Sequence, residues 1–128
     1  MITPTDLKYS NNDEWIRIKG KIGAIGITDF AQDQLSDIVF VEILVDEGES
    51  VDQGDTIATV ESVKAAADIY APTSATISKI NEDLVDSPEL INSDPYGDAW
   101  LVTIEVSDLD ELDDLMDASA YSSLERDH

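Results

Sequence analysis

The stretch Glu61-Ser62-Val63-Lys64-Ala65-Ala66-Ala67-Asp68 lies between two runs of strand formers, Thr56 to Glu61 and Ala67 to Tyr70. Strand character stops near Glu61 and resumes near Ala67, which predicts a β-hairpin with Lys64 at its tip. Lys64 is the only cationic residue between Lys21 and Lys79, and its charged neighbours in sequence are Asp52, Asp55, Glu61 and Asp68. Small Ala65 and Ala66 leave its side chain unobstructed. A lone lysine on a turn is a target that an acylating enzyme can select by backbone geometry and position. An exposed turn lysine is by itself most often a solvated side chain, so the flanking sequence has to carry the argument.

Upstream, Trp15 to Lys19 alternates polar and apolar residues as a strand with one buried face does, and a second strand is expected at Ile22 to Ile27. Thr28 reads as the N-cap of a short helix, with Asp29 at the positive end of its dipole and Phe30, Ala31 and Leu35 as its apolar side. From Ile38 the chain turns strongly β. Val39, Val41, Ile43 and Val45 are expected on one face, with Phe40, Glu42 and Leu44 on the other. Gly48 and Gly54 mark turns at Asp46–Glu49 and Asp52–Asp55, with Val51 as a buried anchor between them.

Downstream, Pro72 and Thr73-Ser74 break the pattern before a strand at Thr76 to Ile80. Ser87-Pro88-Glu89 reads as an N-cap with proline at the first helical position, so a short helix is expected over Pro88 to Ile91. Asp94-Pro95-Tyr96-Gly97 is a turn, and Trp100, Val102, Ile104 and Val106 alternate as one more strand. Ser107 is expected to cap a C-terminal helix on which Leu109, Leu112, Leu115 and Met116 recur at helical spacing, with Tyr121 and Leu124 inward on a last turn. Many short strands with peripheral helices indicate a β-rich sandwich or barrel.

At 128 residues the chain fits one domain over residues 1–128, and 42% hydrophobic residues suit a packed core. No run approaches the ~20 apolar residues that span a bilayer. Met1 to Asp6 carries neither a signal-peptide pattern nor a transit-peptide pattern. The absence of cysteine excludes disulfides, thiolate metal sites and cysteine catalysis, and the expected location is a prokaryotic cytoplasm. The one histidine is His128, so most histidine-based catalysis is excluded as well. The formal charge of −22 repels nucleic acid and anionic membrane. It serves solubility, favours partners with basic docking surfaces, or does both.

The lysine segment, the Gly48-Glu49-Ser50-Val51-Asp52-Gln53-Gly54-Asp55 turn before it and Tyr70-Ala71-Pro72-Thr73-Ser74-Ala75 after it resemble the biotinyl/lipoyl carrier domains. Those domains present a modified lysine on a hairpin between two similar halves. Methionines flank the lysine in biotin carriers, whereas Val63 and Ala65 stand here, which favours lipoate. The resemblance narrows to the glycine cleavage H proteins and runs from about Leu7 to Leu124. It is carried by Leu7-Lys8-Tyr9, Glu14-Trp15, Gly26-Ile27-Thr28-Asp29 with Ala31-Gln32, and Asp37-Ile38-Val39-Phe40-Val41-Glu42. It continues through Val60 to Ala65, Asp68 to Pro72, Asn81-Glu82, Ser87 to Asn92, Pro95-Tyr96-Gly97 and Trp100-Leu101. The chain departs from the usual pattern at Asp13, Ser36, Leu44-Val45 and Ala75. If the turn at Ala75 requires positive φ, alanine there costs roughly 1 kcal/mol relative to glycine.

The resemblance implies a barrel-sandwich hybrid of two antiparallel sheets with an N-terminal extension and a C-terminal helix. It implies lipoate amide-linked to Lys64, on an arm on the order of 14 Å long at ordinary bond lengths. The implied role is that of a monomeric carrier with no catalysis of its own. It takes the aminomethyl group of glycine from a pyridoxal-phosphate glycine decarboxylase to a tetrahydrofolate-dependent aminomethyltransferase, and then meets dihydrolipoamide dehydrogenase. A lipoate ligase or lipoyl transferase is the further partner. Glu14 and Asp68 are expected beside the loaded arm, against the alternative that both are ordinary surface acids. Trp15 and Trp100 are expected as core anchors, and the acidic run Asp108 to Asp117 as a solvated helix face. Three other readings compete: a relay that passes lipoate to other enzymes, a biotin carrier, and a self-standing enzyme.

Overall fold

In a computed structural model of the chain residues 3–123 are described, and among them the alternating runs form nine strands in two antiparallel sheets. In chain order the elements are β1 (Lys8–Tyr9), β2 (Glu14–Lys19), β3 (Ile22–Ile27), α1 (Asp29–Leu35), β4 (Ile38–Ile43), β5 (Ser50–Val51), β6 (Thr56–Ser62) and β7 (Ala66–Tyr70). There follow β8 (Ala75–Ile80), α2 (Glu82–Asp86), α3 (Leu90–Ser93), β9 (Val102–Val106), a 3-10 turn at Leu109–Asp114 and α4 (Ala118–Ser122). One sheet has the order β1-β2-β3-β9-β8-β5, the other β4-β6-β7.

The apolar faces of both sheets meet in one core. Ile16, Ile25, Ile77 and Ile104 enter it from the larger sheet, and Val41, Ile57, Val60 and Ile69 from the smaller. Burying such side chains contributes about 1.5–3 kcal/mol each, which sets the register of every strand. A second cluster joins Leu7, Tyr9, Trp15, Ala118 and Tyr121, with Trp100 partly buried against it. Tyr9 and Tyr121 stack at 4.6 Å between ring centroids, and the Tyr121 hydroxyl donates to Asp13 Oδ1 at 2.8 Å. Trp15 donates its indole N–H to the Pro95 carbonyl at 2.9 Å. Both tryptophans are thus packing residues, as expected.

Thr28 is the N-cap of α1, accepting from the Ala31 N–H at 3.2 Å. Several other expectations need correction. Val39 is 55% exposed, because a β-bulge between Ile38 and Phe40 interrupts the period of two. Ile38 therefore turns inward while both Val39 and Phe40 face outward. The helix expected at Pro88 to Ile91 is α3, shifted to Leu90–Ser93, and Ser87 instead ends an earlier helix, α2. The expected continuous C-terminal helix is two pieces. Asp108, not Ser107, caps the 3-10 turn, and the backbone is extended again at Leu115. Met116 then exchanges two backbone hydrogen bonds of 2.8 Å with Tyr9, and α4 starts afresh under Asp117. The positions of Leu124 and His128 lie outside the described residues. Ala75 lies within β8, paired with Val51 and Val106, so the cost anticipated for it does not arise. Among the described non-glycine residues, positive φ falls on Asp13 (65°) and Ser36 (67°).

Candidate functional site

The last pair of the β6–β7 ladder is Glu61 with Ala66, and four residues close the hairpin beyond it. Ser62 organises that turn. Its backbone N–H donates to the Ala65 carbonyl at 2.7 Å, while its hydroxyl oxygen accepts from the N–H groups of Lys64 at 3.1 Å and Ala65 at 2.9 Å. A serine at this place supplies a local substitute for the ladder bonds that a tip cannot make. Lys64 is exposed at the tip and Val63 beside it is 68% exposed.

Two contacts tie the tip to the body of the protein. Val63 donates its N–H to the Asp37 carbonyl at 3.0 Å, and the Lys64 ammonium reaches the Gln34 carbonyl at 3.4 Å. Among the described residues the one ion pair joins Arg17 to Asp6, so no carboxylate holds Lys64. An amine in that position can be reached from solvent and released from its one weak contact among the described residues. The exposed apolar residues Val39, Phe40 and Val63 lie at the tip end of the hairpin, with Phe40 paired to Glu61.

Glu14 is the second notable group. It heads β2 and is only 1% exposed. Ser10 Oγ donates to one carboxylate oxygen at 2.6 Å, and the Tyr70 N–H donates to the other at 2.9 Å. Burial pushes its pKa up to about 7, although the hydrogen bonds from Ser10 and Tyr70 pull in the opposite direction. Glu14 borders a surface cavity of about 270 Å³ that Ser10, Gln53, Tyr70, Ala71 and Pro72 also line.

Asp68 lies elsewhere on β7, exposed, where Thr59 Oγ1 donates to it at 3.4 Å. It does not line the cavity that Glu14 borders. The three residues singled out from sequence are nevertheless strung along one strand: Lys64 before β7, Asp68 on it, and Glu14 held by the backbone of Tyr70 at its end. Sequence reasoning did not single out Ser10, Tyr70, Gln34 or Asn92. Ser10 had a signal, four residues ahead of an acid that heads a strand. No His, Cys, Asp or Glu cluster among the described residues has the arrangement of a metal site. No helix among them is long and apolar enough to cross a membrane.

A family model described as "Glycine cleavage H-protein" matches residues 7–128. The glycine cleavage system H protein of Carboxydothermus hydrogenoformans is 50% identical over 123 residues, covering 96% of this chain and 94% of that protein. The H protein of Symbiobacterium thermophilum is 52% identical over 120 residues, covering 94% and 93%. A crystal structure of a glycine cleavage system H protein from Mycobacterium marinum superposes with a TM-score of 0.84 at 37% identity, covering 93% of this chain and 95% of that one.

Proposed function

The chain belongs to the glycine cleavage H-protein family, and on that premise we propose that Lys64 is the attachment site of its lipoyl group. The observation that carries this reading is the hairpin. It presents one primary amine at an exposed tip with no carboxylate within ion-pair distance among the described residues, beside Val63 rather than methionine. The residues fit the group: amide formation needs a free amine, and the small Ala65 and Ala66 beside it leave a modifying enzyme room to close on it. The lysine amine, once it has given a proton to solvent, attacks the carbonyl of a lipoyl adenylate. The amide C–N bond forms, the nitrogen gives up a second proton to solvent, the acyl–phosphate bond breaks and AMP leaves. One positive charge is lost from the tip.

Lipoate, when bound, supplies a redox-active disulfide that accepts a one-carbon unit. The protein's own part is presentation, orientation and shelter. In this reading the carrier takes the aminomethyl group of glycine from a pyridoxal-phosphate decarboxylase, meets a tetrahydrofolate-dependent aminomethyltransferase, and is reoxidised by dihydrolipoamide dehydrogenase. It has no turnover alone. In this reading Glu14, at the cavity further along β7, meets the cationic end of the parked arm, and Asp68, exposed outside that cavity four residues from Lys64, meets it before it enters.

Intact mass spectrometry of the chain after reaction with lipoate, ATP and a lipoate ligase tests the first step. The expected result is one lipoyl addition to wild type and none to Lys64→Arg. Lipoylation of the Lys64→Arg chain overturns the assignment. The lipoylated chain with glycine decarboxylase should support glycine–bicarbonate exchange, and exchange supported equally by the unmodified chain refutes the carrier role.

A further inference from the structure

Ser36 ends α1 at φ 67° and ψ −148°, a region of backbone space that is open to glycine and strongly disfavoured for a residue with a side chain. A strained residue stays strained only where its surroundings hold it. Here the side chain doing so comes from α3, 56 residues away. Asn92 Nδ2 donates to the Ser36 carbonyl at 2.8 Å and to Gln32 Oε1 at 3.0 Å. Its Oδ1 accepts the N–H of Ile38 at 2.9 Å. One amide therefore bridges the residues on both sides of Asp37 and reaches back to α1. Asp37 and Gln34 are the two residues whose carbonyls hold the Lys64 tip, Asp37 through the Val63 N–H and Gln34 through the lysine ammonium.

We propose that Asn92 is a positioning residue for Lys64: it holds the α1–β4 turn in the conformation that Ser36 resists, and that turn fixes the hairpin tip. The proposal rests on the reading of Lys64 as the modified residue. Its physical content is a population argument. Without the clamp Ser36 relaxes toward an ordinary backbone conformation, the Asp37 carbonyl moves, and the tip spends only a fraction of its time in the geometry that a modifying enzyme recognises. An enzyme that binds a fractionally populated conformation shows a KM raised by the inverse of that fraction, while chemistry in the bound complex is unchanged.

The test uses the full unmodified chain, lipoate, ATP and a lipoate ligase, with initial rates measured against chain concentration well below the unfolding temperature. Asn92→Ala is expected to raise the KM for the chain by roughly fivefold to tenfold with kcat within twofold. Asn92→Asp keeps an acceptor for Ile38 but loses both donors, and is expected to fall between. The decisive variant adds Ser36→Gly to Asn92→Ala. Glycine removes the tendency to relax, so KM should return to within about twofold of wild type. A merely structural loss elsewhere in α3 would not be rescued at residue 36. Hydrogen exchange at the Val63 amide should quicken in Asn92→Ala and slow again in the double variant. A wild-type KM in Asn92→Ala, or a double variant no better than the single, overturns the proposal. If Asn92→Ala does not fold, Asn92→Asp and its Ser36→Gly partner decide on the same criteria. A wild-type chain that the ligase leaves unmodified refutes the reading of Lys64, and the Val63 exchange still decides whether Asn92 holds the tip.

Discussion

Replacing Glu14 with glutamine should stabilise the protein above neutral pH and leave it nearly unchanged, or slightly weaker, in mild acid. In the folded chain the Glu14 pKa is pushed up to about 7 from its ordinary 4.5, chiefly by burial. Between those values the folded state keeps a proton that the unfolded chain has released. Stability therefore falls as pH rises through that window, because the folded state binds more protons than the unfolded. The window spans about 2.5 pH units at 1.36 kcal/mol each, so ionisation of Glu14 costs the fold about 3 kcal/mol by pH 8. Glutamine carries no such cost, and it can still offer a carbonyl to the Tyr70 N–H and an N–H to Ser10 Oγ. Urea unfolding of wild type and Glu14→Gln at pH 5, 6, 7 and 8, followed by fluorescence of the buried Trp15, measures the difference. The variant should gain about 2–3 kcal/mol on wild type between pH 5 and pH 8. Two stability curves that run parallel across that range would refute the argument and show that Glu14 ionises in the fold at no cost. The same cost has a functional side. Among the described residues no cation pairs with Glu14, so an ammonium entering the cavity would offset the penalty of the buried carboxylate.

Loss of methylamine from the loaded, lipoylated carrier should be faster in Glu14→Gln and Asp68→Asn than in wild type while modification of Lys64 is intact; equal lifetimes would leave both as ordinary acids. Glu111 accepts from the Ser74 N–H at 2.7 Å and from the hydroxyls of Thr73 and Ser74, and the Ser74 N–H above all holds its pKa below 4.5. Glu111→Ala should therefore cost roughly 1–3 kcal/mol near neutral pH. The part of that cost that depends on ionisation is present above pH 4.5 and fades as pH falls through the folded value, so the gap to wild type in denaturant unfolding should narrow in acid. A Cβ on Gly26 would come within 2.6 Å of the Trp15 ring, so Gly26→Ala should destabilise by roughly 1–3 kcal/mol through overpacking and shift the Trp15 emission; unchanged unfolding would mean that the ring moves aside freely.

The parts of the fold that were legible in sequence are those fixed by local period and local turns. Thr56 to Tyr70 declared a hairpin because strand formers flank a break, and β3 and the Thr28 cap followed from adjacent residues. What was not legible depends on partners far along the chain. The bulge at Ile38 to Phe40 leaves no mark on a run of apolar residues, and it alone turns Val39 outward. The C-terminal segment has helical spacing from Leu109 to Met116, yet pairing of Met116 with Tyr9 outcompetes the helix. A cost at Ala75 depends on a positive φ that its place in β8 does not require; among the described non-glycine residues positive φ falls on Asp13 and on Ser36, where it persists under the grip of Asn92 rather than through any property of serine. Glu14 shows both sides of this boundary. It shares the parity of Ile16 and Ile18 on β2, so the period of two already placed it on the inward face. What parity could not supply is the partner that keeps an inward carboxylate tolerable, the N–H of Tyr70 from a strand 56 residues later. That N–H belongs to the strand that begins at the Lys64 hairpin, so the same pairing of β7 that sets the lysine at its tip also sets the buried acid at its other end.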